Sequence, residues 1–250
     1  MAGRNFGFSG RLSTTTVGDR SGSELFLYES KELHRRSMTR ALDPAEAAFF
    51  ASLQGILYRR KVAFPRTLSR ICAVDAAYSG DRIVAVASLF RDGRHEETSS
   101  YVGSCSLPYV SGLFFLREGP FVAEAVKGLE SRPQLVCFDA HGAAHPRSAG
   151  MATVCGMALG IPSLGVAKSL LVGTVASVGP GFGRIIHDGR AVGFCTGTGR
   201  ATRYWSPGFS ISLGRLESVI RGYAPVCLRA MSDSDRASRE EVGVEATSQP

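Results

Sequence analysis

The sequence predicts an α/β fold: one mixed sheet, three antiparallel strands and then parallel strands, flanked by helices. Three observations predict it. Apolar stretches near residues 70–78, 82–90 and 96–105 follow one another, separated by the turn formers Ser79-Gly80-Asp81 and Asp92-Gly93. Helical and extended patterns then alternate, which is the order that feeds a parallel sheet. The chain has 250 residues, 44% hydrophobic and 20% charged, enough to bury one sizeable core.

Each element has a local reason. Asp43 caps a helix over 43–61, with Pro44 in its first turn and Glu46 three residues after the cap. Arg70–Tyr78, Arg82–Phe90 and a strand near Glu96–Cys105 form a meander. A helix follows at about 116–130, then a strand at 135–139, a helix at 148–160 and a short strand at 163–166. Asp188-Gly189 turns a later hairpin, Arg184–His187 with Arg190–Cys195, and a helix near 212–221 closes the fold. Residues 1–24 and 231–250 are polar without clear periodicity and are expected to be flexible, which leaves 25–230 as the folded domain. Three antiparallel strands followed by helix, strand, helix, strand is the order of the ribonuclease-H-like fold.

Composition narrows the function. No apolar run is long enough for a helical membrane span, and the first residues lack a signal-peptide core. The six cysteines are widely spaced with no Cys-x-x-Cys pair, so buried free thiols in a reducing, cytoplasmic setting are expected. The net charge of +7 suits a polyanionic partner. Residues 29–70 hold nine basic and four acidic side chains, whereas 229–250 hold three and five. The early excess fits either a solvated helix face or a phosphate-contacting surface.

The chemistry gathers around VCFDAHGAAHPRSAG at 136–150, where an apolar strand stops at Asp139 and a loop with His141, Gly142, His145 and Arg147 follows. A carboxylate there either ends the strand or holds a ligand at the sheet's rim. Asp75 lies on the first strand and Glu118 near the start of the helix between them. If the first and fourth strands are neighbours, Asp75 and Asp139 face each other. Three converging carboxylates repel one another, and a divalent cation with oxygen ligands, magnesium or manganese, resolves the repulsion. Read alone, Tyr109 is an ordinary turn aromatic, Lys168 a surface lysine and His145 a helix-entry residue.

Four motifs in order change that reading: Val74-Asp75-Ala76-Ala77-Tyr78, Pro108–Pro120, Asp139–Arg147 and Gly165-Val166-Ala167-Lys168. Over roughly 40–230 the sequence resembles the endonuclease V family. The resemblance implies a monomeric endonuclease that recognises inosine in DNA or RNA and cuts the second phosphodiester bond on its 3′ side with magnesium or manganese. It implies that Asp75, Glu118 and Asp139 hold metal and that Lys168 meets the scissile phosphate. Tyr109 would be a wedge replacing the extruded base, with Gly112, Phe114, Gly142, His145 and Met151 around the base. Three departures stand out. Ala140 replaces a usual glycine, which would be strained at positive φ. Ser111 replaces a proline of the wedge loop. Phe209 replaces the histidine of a late Ser-Pro-Gly-His motif. The third raises an alternative: an inosine- or structure-binding protein with weak or lost cleavage.

Overall fold

The computed structural model describes residues 61–105 and 107–246. Residues 1–24, the helix expected over 43–61 (save Lys61) and most of the basic segment lie outside them. Nine strands form one sheet: β1 Arg70–Ser79, β2 Arg82–Arg91, β3 Arg94–Ser104, β4 Leu135–Phe138, β5 Ser163–Ala167, β6 Thr174–Gly179, β7 Phe182–His187, β8 Arg190–Thr196 and β9 Arg203–Pro207. Their spatial order is β3-β2-β1-β4-β5-β9-β8-β7-β6. The β1–β4 and β4–β5 pairs are parallel and the other pairs antiparallel. The expected mixed sheet and its meander are present. The sequence reading omitted β6, exposed along nearly its whole length, and the five-residue β9.

The hairpin turns follow from residue chemistry. Asp92-Gly93 and Asp188-Gly189 have positive φ at both positions, the conformation that matches the twist of the paired strands.

Helices α1 (Phe114–Lys127) and α2 (Met151–Leu159) pack on one face of the sheet and α3 (Leu213–Ala246) on the other. Strand alternation sorts the core between them. On β1, Cys72 and Val74 join Val122 and Val126 of α1, while Ile71 and Ala73 join Leu216, Val219 and Cys227 of α3. Asp75 continues the second set and therefore faces α3.

Helix α3 corrects the expectation that the chain loosens at residue 231. It runs on to Ala246. Its inner stripe, Leu216, Ile220, Cys227, Ala230, Ser234 and Ser238, keeps helical spacing but shifts from large apolar to small side chains. The Ser234 hydroxyl donates to the Ala73 carbonyl of β1 at 3.0 Å, so a polar residue is buried without an orphaned donor. Outside, Asp233–Arg236 and Asp235–Arg239 pair at helical spacing.

Candidate active site

The β1–β4 ladder ends with Val74 opposite Phe138. Asp75 and Asp139 are the next residues on each strand, so parallel pairing delivers the two carboxylates together. Helix α3 brings a third, Asp235. One oxygen from each of Asp75, Asp139 and Asp235 lies within 4.8 Å of the other two. Lys168, just past β5, donates to Asp139 Oδ2 at 2.6 Å and stands 3.7 Å from Asp235 Oδ1. Arg239 holds Asp235 from behind at 2.9 Å.

The sequence reading did not include Asp235. It lies in the segment read as a flexible tail, because serines replace the apolar stripe there. The signal that reveals it is the charge spacing: Asp233 with Arg236 and Asp235 with Arg239 are helix-type pairs.

Electrostatics show how closely the acids are packed. Burial and the charge of Asp139 push the Asp75 carboxyl up to about 7, against a hydrogen bond from Ala76 N–H. The Arg239 hydrogen bond pulls Asp235 down. Glu118, on α1, stands outside the three-acid group but within reach of its field. Burial, then the charges of Asp75 and Asp139, carry Glu118 up to about 8, while Tyr78 and Arg117 oppose the rise. The Arg117 guanidinium lies 4.5 Å from the centre of the Tyr78 ring. Burial of Lys168 works against its charge, but the hydrogen bond to Asp139 and the charges of Asp139, Asp75 and Asp235 together outweigh it and raise the pKa.

A cavity of about 290 Å³ opens beside Asp139 and Lys168. Tyr109, Gly112, Phe114, His145 and Met151 line it, as does His141. Tyr109 is 65% exposed, and its ring meets the Phe114 ring edge-on at 5.8 Å. An exposed aromatic at a cavity mouth is free to stack on a planar group. Gly112 has φ of +77°, and the Arg147 guanidinium donates to its carbonyl at 2.6 Å. This contact ties the Tyr109 loop to the loop after Asp139. His145 is buried. Burial and then the Arg147 charge push its pKa down to about 4, so its imidazole is neutral at neutral pH.

Three placements differ from the sequence reading. Gly142 is not part of this cavity wall. A side chain there would strike the Pro207 carbonyl of β9, and its N–H is held by Ser206 Oγ at 2.8 Å, so the glycine serves close packing of loop on sheet. Ala140 does not have positive φ, so alanine carries no left-handed strain. Phe209 is 1% exposed and sits at the opposite end of the sheet. Its N–H donates to Ser163 Oγ at 2.8 Å, and its carbonyl accepts from Ser163 N–H at 2.9 Å. Ser163 begins β5 and Lys168 follows its end, a span of about 16 Å at the usual rise. Residue 209 therefore cannot serve the acids, and its identity does not bear on their chemistry. The side chain that joins Asp75 and Asp139 late in the chain is Asp235 of α3.

The comparisons with known proteins agree with this geometry. The family model described as Endonuclease V matches residues 56–225. Endonuclease V of Saccharolobus islandicus (strain Y.N.15.51 / Yellowstone #2) is 37% identical over 161 residues, covering 64% of this chain and 78% of that protein. The crystal structure of Endonuclease V from Streptomyces avermitilis superposes with a TM-score of 0.71 at 26% identity, over 83% of this chain and 96% of that one. The Endonuclease V of Ciona intestinalis, in complex with a 23mer DNA containing an inosine followed by a ribo-adenosine, shares the fold with a TM-score of 0.68 at 17% identity, over 81% and 99% of the two chains. With a carboxylate cluster at the rim of a ribonuclease-H-like sheet and a family match across most of its length, the chain belongs to the endonuclease V family, whose members hydrolyse phosphodiester bonds in nucleic acid.

Proposed function

We propose that this endonuclease acts on inosine in nucleic acid, depends on a divalent cation, and cuts the second phosphodiester bond 3′ to the base. The observation that carries the reading is the junction of the two halves of the site. The aromatic-lined cavity and the acid cluster share Asp139 and Lys168, so a planar group in one is held next to the other. The Ciona intestinalis relative, bound to inosine-containing DNA, supports the choice of base.

The donor set fits a cation. Three carboxylate oxygens lie close enough to share one ion, and burial together with the charge of Asp139 pushes Asp75 upward, a cost that a bound cation would relieve. Asp75, Asp139 and Asp235 would hold it, with Glu118 beside them. All-oxygen ligation suits magnesium or manganese. Such an ion, when bound, supplies an activated water and neutralises charge on the phosphate.

The chain's own residues do the rest. Lys168 brings a cation to the phosphate at the edge of the acids. Tyr109 offers its ring to the gap left by the extruded base, where one aromatic stack is worth about 1–3 kcal/mol. Neutral His145 and the backbone at Gly112 present polar atoms to the base edge, and Phe114 and Met151 supply an apolar wall.

The test is cleavage of matched inosine and adenosine strands, as DNA and as RNA, single- and double-stranded, with magnesium or manganese or with EDTA. Cutting confined to inosine strands, one bond beyond the neighbouring nucleotide, is expected. Equal cutting of adenosine strands, or undiminished cutting in EDTA, would refute the reading.

A further inference from the structure

The β5–β9 ladder ends with Ala167 opposite Tyr204. The next residues, Lys168 just past β5 and Arg203 at the start of β9, therefore stand side by side at this end of the sheet. Behind them lies a second cavity of about 310 Å³, between α3 and the start of β9. Arg203, Leu228 and Met231 line it, together with Asp139, Lys168 and Asp235. Asp139 and Lys168 belong to both cavities, so the two flank the acid cluster.

The two cavities differ in chemistry. The first adds aromatic rings and a neutral imidazole to Asp139 and Lys168. The second combines an apolar floor with a cation that lacks a counter-charge. Lys168 is committed to Asp139 and Asp235. Arg203 donates only to the Arg200 and Thr202 carbonyls, at 3.2 and 2.8 Å, and has no ion-pair partner among the described residues. Its guanidinium is thus held by backbone with its charge unspent, an arrangement that suits phosphate.

We infer that the second cavity binds the nucleotide immediately 3′ of the scissile bond, with Arg203 on its phosphate and Leu228 and Met231 against its base or sugar. The inference rests on the proposed inosine reading for its polarity. A base in the first cavity and a cut on its 3′ side at the acids leave the strand to continue into the second. Asp139 and Asp235 form the cavity's acidic wall and hold Lys168, so the anionic contact falls to Arg203.

The experiment compares two single-stranded inosine oligodeoxynucleotides. One ends at the first nucleotide 3′ of inosine and the other extends three nucleotides further. Binding to the full chain is measured against salt with calcium present, and strand integrity is checked afterwards. Extension should tighten binding by the parent and steepen its salt dependence. Arg203→Ala should bind the short strand like the parent, yet show a log–log salt slope smaller by about 0.7 on the long one, the share of one phosphate in single-stranded nucleic acid. Arg203→Lys should restore the slope. Met231→Trp, which fills the cavity, should lose the affinity gained on extension. The inference is overturned if extension brings the parent nothing, or if Arg203→Ala and Met231→Trp both gain as the parent does. The same strands carrying adenosine separate the two readings. Lost inosine preference on the short strand refutes the base pocket, whereas retained preference without a response to extension refutes the second cavity alone.

Discussion

Replacing Asp75 with Asn should stabilise the metal-free protein at neutral and alkaline pH. The carboxyl rises from 3.8 to about 7 on folding because it is buried against Asp139 and Asp235. A folded-state value above the unfolded one means that the native protein holds this proton more tightly. The penalty is absent below about pH 4, grows as pH rises from 4 to 7, and is complete above that. The rise corresponds to about 4 kcal/mol on the ionised form. Asparagine removes the charge but keeps an acceptor for the Ala76 N–H, so part of that amount should return as stability. We expect the variant to gain at least about 1.4 kcal/mol at pH 8, a tenfold change in the folding constant. Urea denaturation in EDTA at pH 4, 6 and 8 measures it, since the linear slope reports any change in exposed area. Glu118 is raised in part by the Asp75 charge, so removing that charge eases Glu118 as well and acts in the same direction. A variant no more stable than the parent at pH 8, or a difference that does not grow between pH 4 and 7, would refute the reasoning. Magnesium should then stabilise the parent more than the variant.

The other predictions concern single groups. Asp235→Asn should raise the magnesium concentration needed for half-maximal cutting by more than about tenfold, the loss typical of disturbed metal coordination; titration of cleavage with metal reads it, and an unchanged midpoint would remove α3 from the site. Tyr109→Ala should weaken binding of inosine strands by about 1–3 kcal/mol while Tyr109→Phe retains most of it; equal losses would point to the hydroxyl rather than the ring. Phe209→His should leave the cleavage rate no higher and lower the melting temperature, because it places a polar ring in a fully packed position; a faster enzyme would show that residue 209 reaches the acids after all.

Much of the fold was legible because local chemistry declared it. Asp92-Gly93 and Asp188-Gly189 take the left-handed conformation their residue types favour, so the hairpins around them could be placed. Asp75 and Asp139 were legible as a pair once β1 and β4 were taken as neighbours. What was hidden depended on tertiary contact. Strand β6 is exposed along most of its length and has no buried face to write a pattern of alternation. The far half of α3 packs with Ala230, Ser234 and Ser238, and serines buried by hydrogen-bonding a carbonyl, Ser234 on Ala73 and Ser238 on Asp235, look the same in sequence as serines in solvent. Position 209 misled for a related reason. A motif gives spacing along the chain, but only the pairing of Phe209 with Ser163 shows which end of the sheet it occupies.

The contact between Ser234 and Ala73 spans 161 residues of chain. A ribosome adding about 5–20 residues per second takes on the order of ten seconds to travel that distance. During that interval the sheet's first strands exist without the helix that completes their acid cluster. A nascent chain thus carries Asp75 and Asp139 without Asp235, and the proposed cation site is complete only when α3 docks. For an enzyme that severs nucleic acid, this order of assembly delays completion of the acid cluster until the residues of the cavity beside it, which all precede α3, have already been made.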